Sequence, residues 1–255
     1  MKYGNWVMVG TPQPAAPARL FCFPYAGAGA SVFRDWQSRF HGRVEVVGIQ
    51  LPGRESRFSE PRCNRLVELM PVLSRVVSDM ADRPFYFFGH SMGALIAFEL
   101  ARALRERGLP QPFHVVVSGM RAPQWPRREK IHHKMNDADL LQAVAAYNGT
   151  PREVLEHPEL MQLLLPLMRD DFAILETYEY TQGAPLNYPL TALGARDDPN
   201  VPPEALAAWV EQAGSGFEER LFSGDHFFIH PHKQAIIDLL VQVMTRGLFP
   251  ERVDV

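Results

Sequence analysis

A serine stands at the corner between a strand-like and a helix-like segment of this chain. Gly89-His90-Ser91-Met92-Gly93 follows the apolar run 84–88, and the strong helix formers 94–104 come after it. So tight a turn requires glycines two residues before and after the serine, because a Cβ at either position would clash. The pattern predicts a strand-turn-helix with Ser91 as a nucleophile. It also predicts that the Met92 N–H, at the helix N-terminus, donates to a developing oxyanion.

Short apolar runs followed by helical patterns recur along the chain. The runs begin at Leu20, Val44, Phe85, Val115, Leu190 and Glu218. This alternation is typical of βα units and a parallel sheet. An α/β chain of 255 residues can bury a large core and commonly forms one domain. We therefore predict an α/β fold, with a mostly parallel central sheet and helices on both faces, in a single domain spanning 1–255.

The interval 121–185 breaks the alternation. It shows only helical patterns, at 138–147, 151–156, 159–168 and 170–180. Several consecutive helices exceed what one crossover between parallel strands needs. We predict a helical lid insertion over the carboxyl edge of the sheet, where active sites of such sheets lie. The alternative is that these helices are ordinary crossovers packed on the sheet.

A serine hydroxyl needs a base and an orienting carboxylate to act as a nucleophile. In chains with this kind of turn the order is serine, then aspartate or glutamate, then histidine. Of the nine histidines, His226 fits best, because it follows the strand-like run 218–222 and precedes the last helical pattern. We expect His90, beside the serine, to point its side chain away from it.

Two adjacent aspartates are candidates for the carboxylate. Asp197 and Asp198 both follow the strand-like run that begins at Leu190. The Asp-Pro-x-Val string that begins at Asp198 matches the usual acid loop of such hydrolases, whereas residues 194–197 match an alternative Gly-x-x-Asp spacing. Asp198 is favoured, and Asp197 remains the alternative.

A second oxyanion donor is expected from the loop after the first central strand. Residues 23–30 are rich in the small side chains that let backbone N–H groups approach a ligand. The donor would be the N–H of Tyr25 or of Ala26. The same composition also suits a plain strand-to-helix turn.

Composition argues against several classes of partner. The formal net charge is −3 and no long cluster of Lys and Arg occurs, so nucleic acid is not an expected partner. Cys22 and Cys63 are too few for a disulfide framework, and no apolar segment has the length of a signal-peptide core or a membrane span. We expect a cytoplasmic protein without a membrane partner.

Six segments, in this order, resemble the type II thioesterases that accompany nonribosomal peptide and polyketide synthases. They are residues 23–29, 51–54, 88–94, 165–172, 197–199 and 224–228. Two departures from the family pattern are Asp225, where a glycine usually precedes the histidine, and Ala195, where a second glycine is common before the aspartates.

The resemblance implies an α/β-hydrolase fold with a helical lid and a triad of Ser91, His226 and Asp198. It also favours Ala26 as the oxyanion partner of Met92. The implied activity is hydrolysis of acyl or aminoacyl thioesters from the phosphopantetheine arm of acyl or peptidyl carrier proteins, which removes aberrant or stalled units. No metal or other cofactor is implied. A general carboxylesterase or lipase, and a medium-chain acyl-carrier-protein thioesterase, are the alternatives.

Basic residues at the start of the predicted lid offer a docking surface for an acidic carrier protein. They are Arg121, Arg127, Arg128, Lys130 and Lys134. The alternative is an ordinary solvated charged segment. We expect the carrier contact to be transient and the protein to be a monomer.

Overall fold

The computed structural model describes residues 4–126, 131–150 and 152–248. Within them, seven strands form one sheet in the order β1-β3-β2-β4-β5-β6-β7. The strands are β1 (Val7–Met8), β2 (Ala18–Phe23), β3 (Val44–Ile49), β4 (Phe85–His90), β5 (Val115–Ser118), β6 (Leu190–Ala195) and β7 (Phe217–Phe222). Strands β2 to β7 pair in parallel, and only β1 runs antiparallel, against β3. The predicted mostly parallel sheet is confirmed.

Seven α-helices accompany the sheet in the described residues. They are α1 (Leu66–Asp79), α2 (Met92–Glu106), α3 (Asp137–Ala146), α4 (Arg152–Leu155), α5 (Pro158–Glu176), α6 (Pro203–Ala207) and α7 (Lys233–Leu248). Short 3₁₀ turns lie in several connections, including two between β2 and β3, at Ala30–Phe33 and Gln37–Phe40. None of the helices in the described ranges is long and apolar enough to cross a bilayer.

The sheet separates two hydrophobic cores. On one face α1 and α2 pack against β2 and β4, with Leu69, Leu95 and Phe87 among the fully buried side chains. On the other face α7 and the two 3₁₀ turns bury Trp36 and Ile236. Strands β2 to β6 are buried along their whole length, which explains why their sequences are mostly apolar rather than alternating. The charged exceptions, Arg19 on β2 and Glu45 on β3, pair with each other at 2.7 Å. Helices therefore cover both faces, as predicted.

The interval between β5 and β6 contains helices α3, α4 and α5 and a 3₁₀ turn at His132–Lys134. Their apolar side chains form a third, smaller cluster that includes Leu140 and Leu165. No strand lies within the described part of 121–185. The boundaries of this insertion as a structural unit stay a prediction.

The structure differs from the sequence prediction at several elements, among them a helix predicted at 32–40, where two 3₁₀ turns lie instead. Strand β1 was not expected, because two residues are too short to show a pattern. The predicted helices 159–168 and 170–180 are one continuous helix, α5, which ends at Glu176, four residues earlier than predicted. The charged run Arg169-Asp170-Asp171 lies inside this helix, and its side chains bond to Asp137, Arg62 and Arg54, all outside α5.

Candidate active site

The turn around Ser91 has the expected geometry. Ser91 is the only residue between β4 and α2, with φ 53° and ψ −118°. A Cβ on Gly89 would lie 2.1 Å from the carbonyl oxygen of Gly93, and a Cβ on Gly93 would lie 2.0 Å from that of Phe23. The Ser91 N–H donates to the carbonyl of Ser118 at 2.7 Å. The two glycines thus allow a turn so tight that the serine occupies a strained backbone conformation.

Three side chains from separate loops form a continuous hydrogen-bonded chain. His226, in the loop between β7 and α7, lies with Nε2 3.0 Å from Ser91 Oγ. Its Nδ1 lies 2.6 Å from Oδ2 of Asp198, which follows β6. The other carboxylate oxygen of Asp198 accepts the Asn200 N–H at 2.9 Å. The Asp198 side chain is fully buried and that of His226 is 7% exposed, so the hydrogen bonds that link these side chains are largely shielded from water.

The alternative aspartate has a different position. Asp197 is exposed, and its carboxylate accepts the Gly224 N–H at 3.2 Å. The Asp197 N–H in turn donates to the Gly224 carbonyl at 3.1 Å. Asp197 therefore joins the aspartate loop to the histidine loop at the surface, while Asp198 contacts the imidazole.

Aromatic rings surround the imidazole of His226. The ring centroids of His90, Tyr147 and Phe227 lie 5.4, 5.7 and 5.3 Å from its own. His90 is fully buried, with Nδ1 2.9 Å from Ser118 Oγ. Burial, together with the neighbouring imidazoles, holds the pKa of His90 well below its usual range. His90 therefore stays neutral and adds no positive charge beside His226.

The loop after β2 borders the serine. Tyr25 and Ala26 line the same cavity as Ser91. Burial raises the pKa of Tyr25 to about 12, and its hydroxyl lies 3.1 Å from His230 Nε2. Met92 begins α2, where an N–H has no acceptor within the helix. The assignment of the Ala26 and Met92 N–H groups as oxyanion donors stays a prediction.

A cavity of about 270 Å³ opens above Ser91 and His226. Most of its wall is apolar and comes from the helical insertion. The apolar residues that the insertion contributes to the wall are Val144, Tyr147, Val154, Leu164, Met168, Phe172 and Leu175. An apolar group attached to a carbonyl at Ser91 would lie among these side chains.

Part of the cavity wall is polar, and sequence reasoning missed it. The Glu176 carboxylate accepts the backbone N–H groups of His132 and His133, at 2.8 and 3.0 Å, and lies within hydrogen-bond distance of both rings. Burial raises the pKa of Glu176, but these hydrogen bonds outweigh it and lower the value to about 2. The His132 ring also stacks on Phe172, with centroids 4.8 Å apart. These partners lie more than 40 residues apart in sequence, so no local pattern could have revealed them.

The predicted docking residues are only partly described. Arg121 lines the cavity, and Lys134 ends the 3₁₀ turn at His132–Lys134. Arg127, Arg128 and Lys130 lie outside the described residues.

Asp225, which departs from the family pattern, accepts the Phe227 N–H at 3.0 Å and so stabilises the histidine loop. The described part of the chain contains no group of three or more His, Cys, Asp or Glu side chains that could hold a metal ion.

Comparisons with known proteins agree with this geometry. The family model for a thioesterase domain matches residues 18–242. The chain is 39% identical to the gramicidin S biosynthesis protein GrsT of Aneurinibacillus migulanus, over 97% of this chain and 96% of GrsT. It is 34% identical to the thioesterase PikA5 of Streptomyces venezuelae, over 98% of this chain and 90% of PikA5.

A solved structure shares the fold as well as the sequence. The type II thioesterase BorB, from the borrelidin biosynthetic cluster, superimposes with a TM-score of 0.86 at 33% identity, over 93% of this chain and 97% of BorB. The predicted resemblance is confirmed. The chain belongs to the thioesterase family, and its α/β-hydrolase fold is that of the type II thioesterases.

Proposed function

We propose that this protein hydrolyses acyl or aminoacyl thioesters on the phosphopantetheine arm of carrier proteins in nonribosomal peptide or polyketide biosynthesis. The observation that carries the proposal is the series of hydrogen bonds from Asp198 through His226 to Ser91. This series lies below an apolar cavity in a member of the thioesterase family. Two relatives come from biosynthetic systems for natural products: GrsT is a gramicidin S biosynthesis protein, and BorB is a type II thioesterase from the borrelidin biosynthetic cluster.

In the proposed first step, Ser91 Oγ attacks the thioester carbonyl and His226 Nε2 takes the serine proton. The 3.0 Å separation of these atoms is within hydrogen-bond reach. Asp198 holds the imidazole with its proton on Nδ1 and stabilises the imidazolium that forms. The N–H groups of Ala26 and Met92 would stabilise the tetrahedral oxyanion, an interaction that typically contributes about 3 kcal/mol per donor.

The collapse of this intermediate expels the phosphopantetheine sulfur, which takes the proton from His226 and leaves as the thiol, while the acyl group stays on Ser91 and His226 becomes neutral again. Thiols ionise near pH 8.5, so the leaving group needs less help from an acid than an amine does. In the second step His226 takes a proton from water, the resulting hydroxide attacks the acyl-serine, and the carboxylic acid is released as Ser91 regains its proton. Every proton moves through His226, and the scheme uses no metal or redox cofactor.

The apolar wall supplied by α3, α4 and α5 suits an acyl chain rather than a charged substrate. Arg121 and Lys134 lie near the cavity and at the start of the insertion, where an acidic carrier protein would deliver its arm. We propose this side of the molecule as the docking surface, with a transient contact.

The leaving group distinguishes a thioesterase from a general carboxylesterase. The test compares kcat/KM for an acyl-phosphopantetheine thioester with that for the oxygen ester of the same acyl group. We expect the thioester to be hydrolysed faster. A strong preference for the oxygen ester would refute the proposal and support the carboxylesterase alternative.

A further inference from the structure

Two segments of the family pattern have no role in the scheme above, and they contact each other in the structure. Arg54, at the end of segment 51–54, and Asp171, on α5, form a bidentate ion pair. Arg54 Nη1 lies 2.9 Å from Asp171 Oδ2, and Nη2 lies 2.7 Å from Oδ1. The side chains are 4% and 0% exposed. The two residues are 117 positions apart in sequence, and their side chains meet next to residues 25–29, the loop predicted to supply an oxyanion donor.

Both members of the pair also bond to the backbone of that loop. We call residues 25–29 the oxyanion loop. Asp171 Oδ2 accepts the Gly27 N–H at 2.7 Å, and Arg54 Nη1 donates to the Ala28 carbonyl at 3.0 Å. Gly27 has φ 79°, a conformation open mainly to glycine. The two charges therefore hold the peptide unit between Ala26 and Gly27 and the one between Ala28 and Gly29.

A second buried side chain supports the Arg54 segment from the other direction. Gln50, 2% exposed, accepts the Ala30 N–H at 2.8 Å and donates to the Arg54 carbonyl at 3.0 Å. The oxyanion loop is thus bonded to the segment after β3 on one side and to α5 on the other. Its backbone position is set by side chains rather than by strand pairing.

Stability alone does not account for a pair of this kind. Desolvating two charges costs about as much as their attraction returns, and apolar replacements of similar size are often neutral or stabilising. The specific contribution of the pair is geometric, because two fixed charges hold one donor and one acceptor of the loop in place. Misplacing a donor by about 1 Å can lower a rate about 10²-fold.

We propose that Arg54 and Asp171 are positioning residues that hold the oxyanion loop so that the Ala26 N–H faces the reacting carbonyl. The same pair fixes the second half of α5, which carries the cavity residues Met168 and Phe172. Formation of the insertion and formation of the oxyanion site are thereby coupled. This inference rests on the proposed function, because it assigns a supporting role in the same reaction.

The test is Asp171→Asn, with Asp170→Asn as the matched control. Asp170 is the adjacent residue on α5 and pairs with Arg62 at 2.6 Å, but their side chains are 23% and 38% exposed. We expect Asp171→Asn to lower kcat about 10²-fold with KM nearly unchanged. It should also weaken binding of a boronic acid that forms a tetrahedral adduct with the serine by the same factor as kcat/KM. Asp170→Asn should change kcat by about twofold at most.

A merely structural role would not produce this separation of kcat from KM. Equal losses in the two variants, or a folded Asp171→Asn protein with kcat within about twofold of the parent, would overturn the proposal. If Asp171→Asn fails to fold, the double variant Arg54→Met with Asp171→Leu replaces the pair by apolar groups. We expect it to fold and to keep the low kcat. Normal turnover in that protein would equally overturn the proposal.

The assay also separates this inference from the proposed function. Each variant is compared with the parent on an acyl thioester and on the matched p-nitrophenyl ester, and both reactions need the oxyanion site. If the parent hydrolyses only the oxygen ester, the thioesterase proposal fails. The ratio of variant to parent on the oxygen ester then still tests the role of Arg54 and Asp171.

Discussion

Replacing Asp198 by asparagine changes one atom in the hydrogen-bonded chain and tests which aspartate orients His226. In the parent, Asp198 Oδ2 lies 2.6 Å from His226 Nδ1, so the carboxylate keeps the imidazole proton on that nitrogen. An amide nitrogen at the same place would donate to Nδ1 and move the proton to Nε2. Nε2, 3.0 Å from Ser91 Oγ, could then no longer accept the serine proton.

The expected loss is large because Asp198 is fully buried and water cannot replace it. A change of tautomer in such a triad lowers kcat about 10⁴-fold, which corresponds to about 5.4 kcal/mol of activation free energy. Asp197→Asn is the matched control. It weakens only the surface contact to Gly224, so kcat should stay within about twofold.

The assay is release of free thiol from an acyl thioester under saturating substrate, with thermal unfolding by circular dichroism to show that each variant is folded. A folded Asp198→Asn protein that retains more than about a tenth of the parental kcat would refute the assignment. An equal loss in Asp197→Asn would refute it as well.

Two further predictions concern the turn and the pH dependence of stability. Gly93→Ala places a Cβ 2.0 Å from the Phe23 carbonyl oxygen and should lower the free energy of unfolding, measured with urea, by about 3 kcal/mol or more. Gly108→Ala, whose Cβ would have no atom within 4 Å, should lower it by about 1 kcal/mol. Equal losses in the two variants would contradict the turn geometry. Burial lowers the pKa of His114 from 6.5 to about 4, so the unfolded chain binds the proton first and stability is lost as pH falls from 6.5 towards 4. Between pH 7 and pH 5, His114→Gln should therefore lose about 2 kcal/mol less stability than the parent, and identical pH dependence would contradict this.

The features that could be predicted from sequence are those with a local cause. The turn at Ser91 depends on two glycines and on the strand and helix that flank it, all within about twenty residues. The central strands are recognisable because burial on both faces gives mostly apolar sequences, such as that of β4. His226 could be placed in a loop because it lies between the strand-like run 218–222 and the last helical pattern, although β7 is only partly buried.

The features that could not be predicted depend on how distant segments meet. The sequence pattern favours Asp198 over the adjacent Asp197 but leaves both open, and the choice is made by the three-dimensional course of the loop after β6, which directs Asp198 towards the imidazole. The pair of Arg54 and Asp171 joins the loop after β3 to the helical insertion, and neither residue alone has a sequence signal for this contact. The continuity of α5 through its charged run has the same origin, because the charges are satisfied by other segments.

The central claim is that Ser91 removes acyl groups from a carrier protein. The most direct measurement is the intact mass of acylated carrier proteins, loaded with a panel of acyl and aminoacyl groups, after incubation with the parent or with Ser91→Ala. We predict that the parent converts at least one acyl-carrier to the free phosphopantetheine form. Ser91→Ala should be at least about 10⁴-fold slower. Unchanged masses with the parent across the panel, or equal deacylation by Ser91→Ala, would contradict the claim.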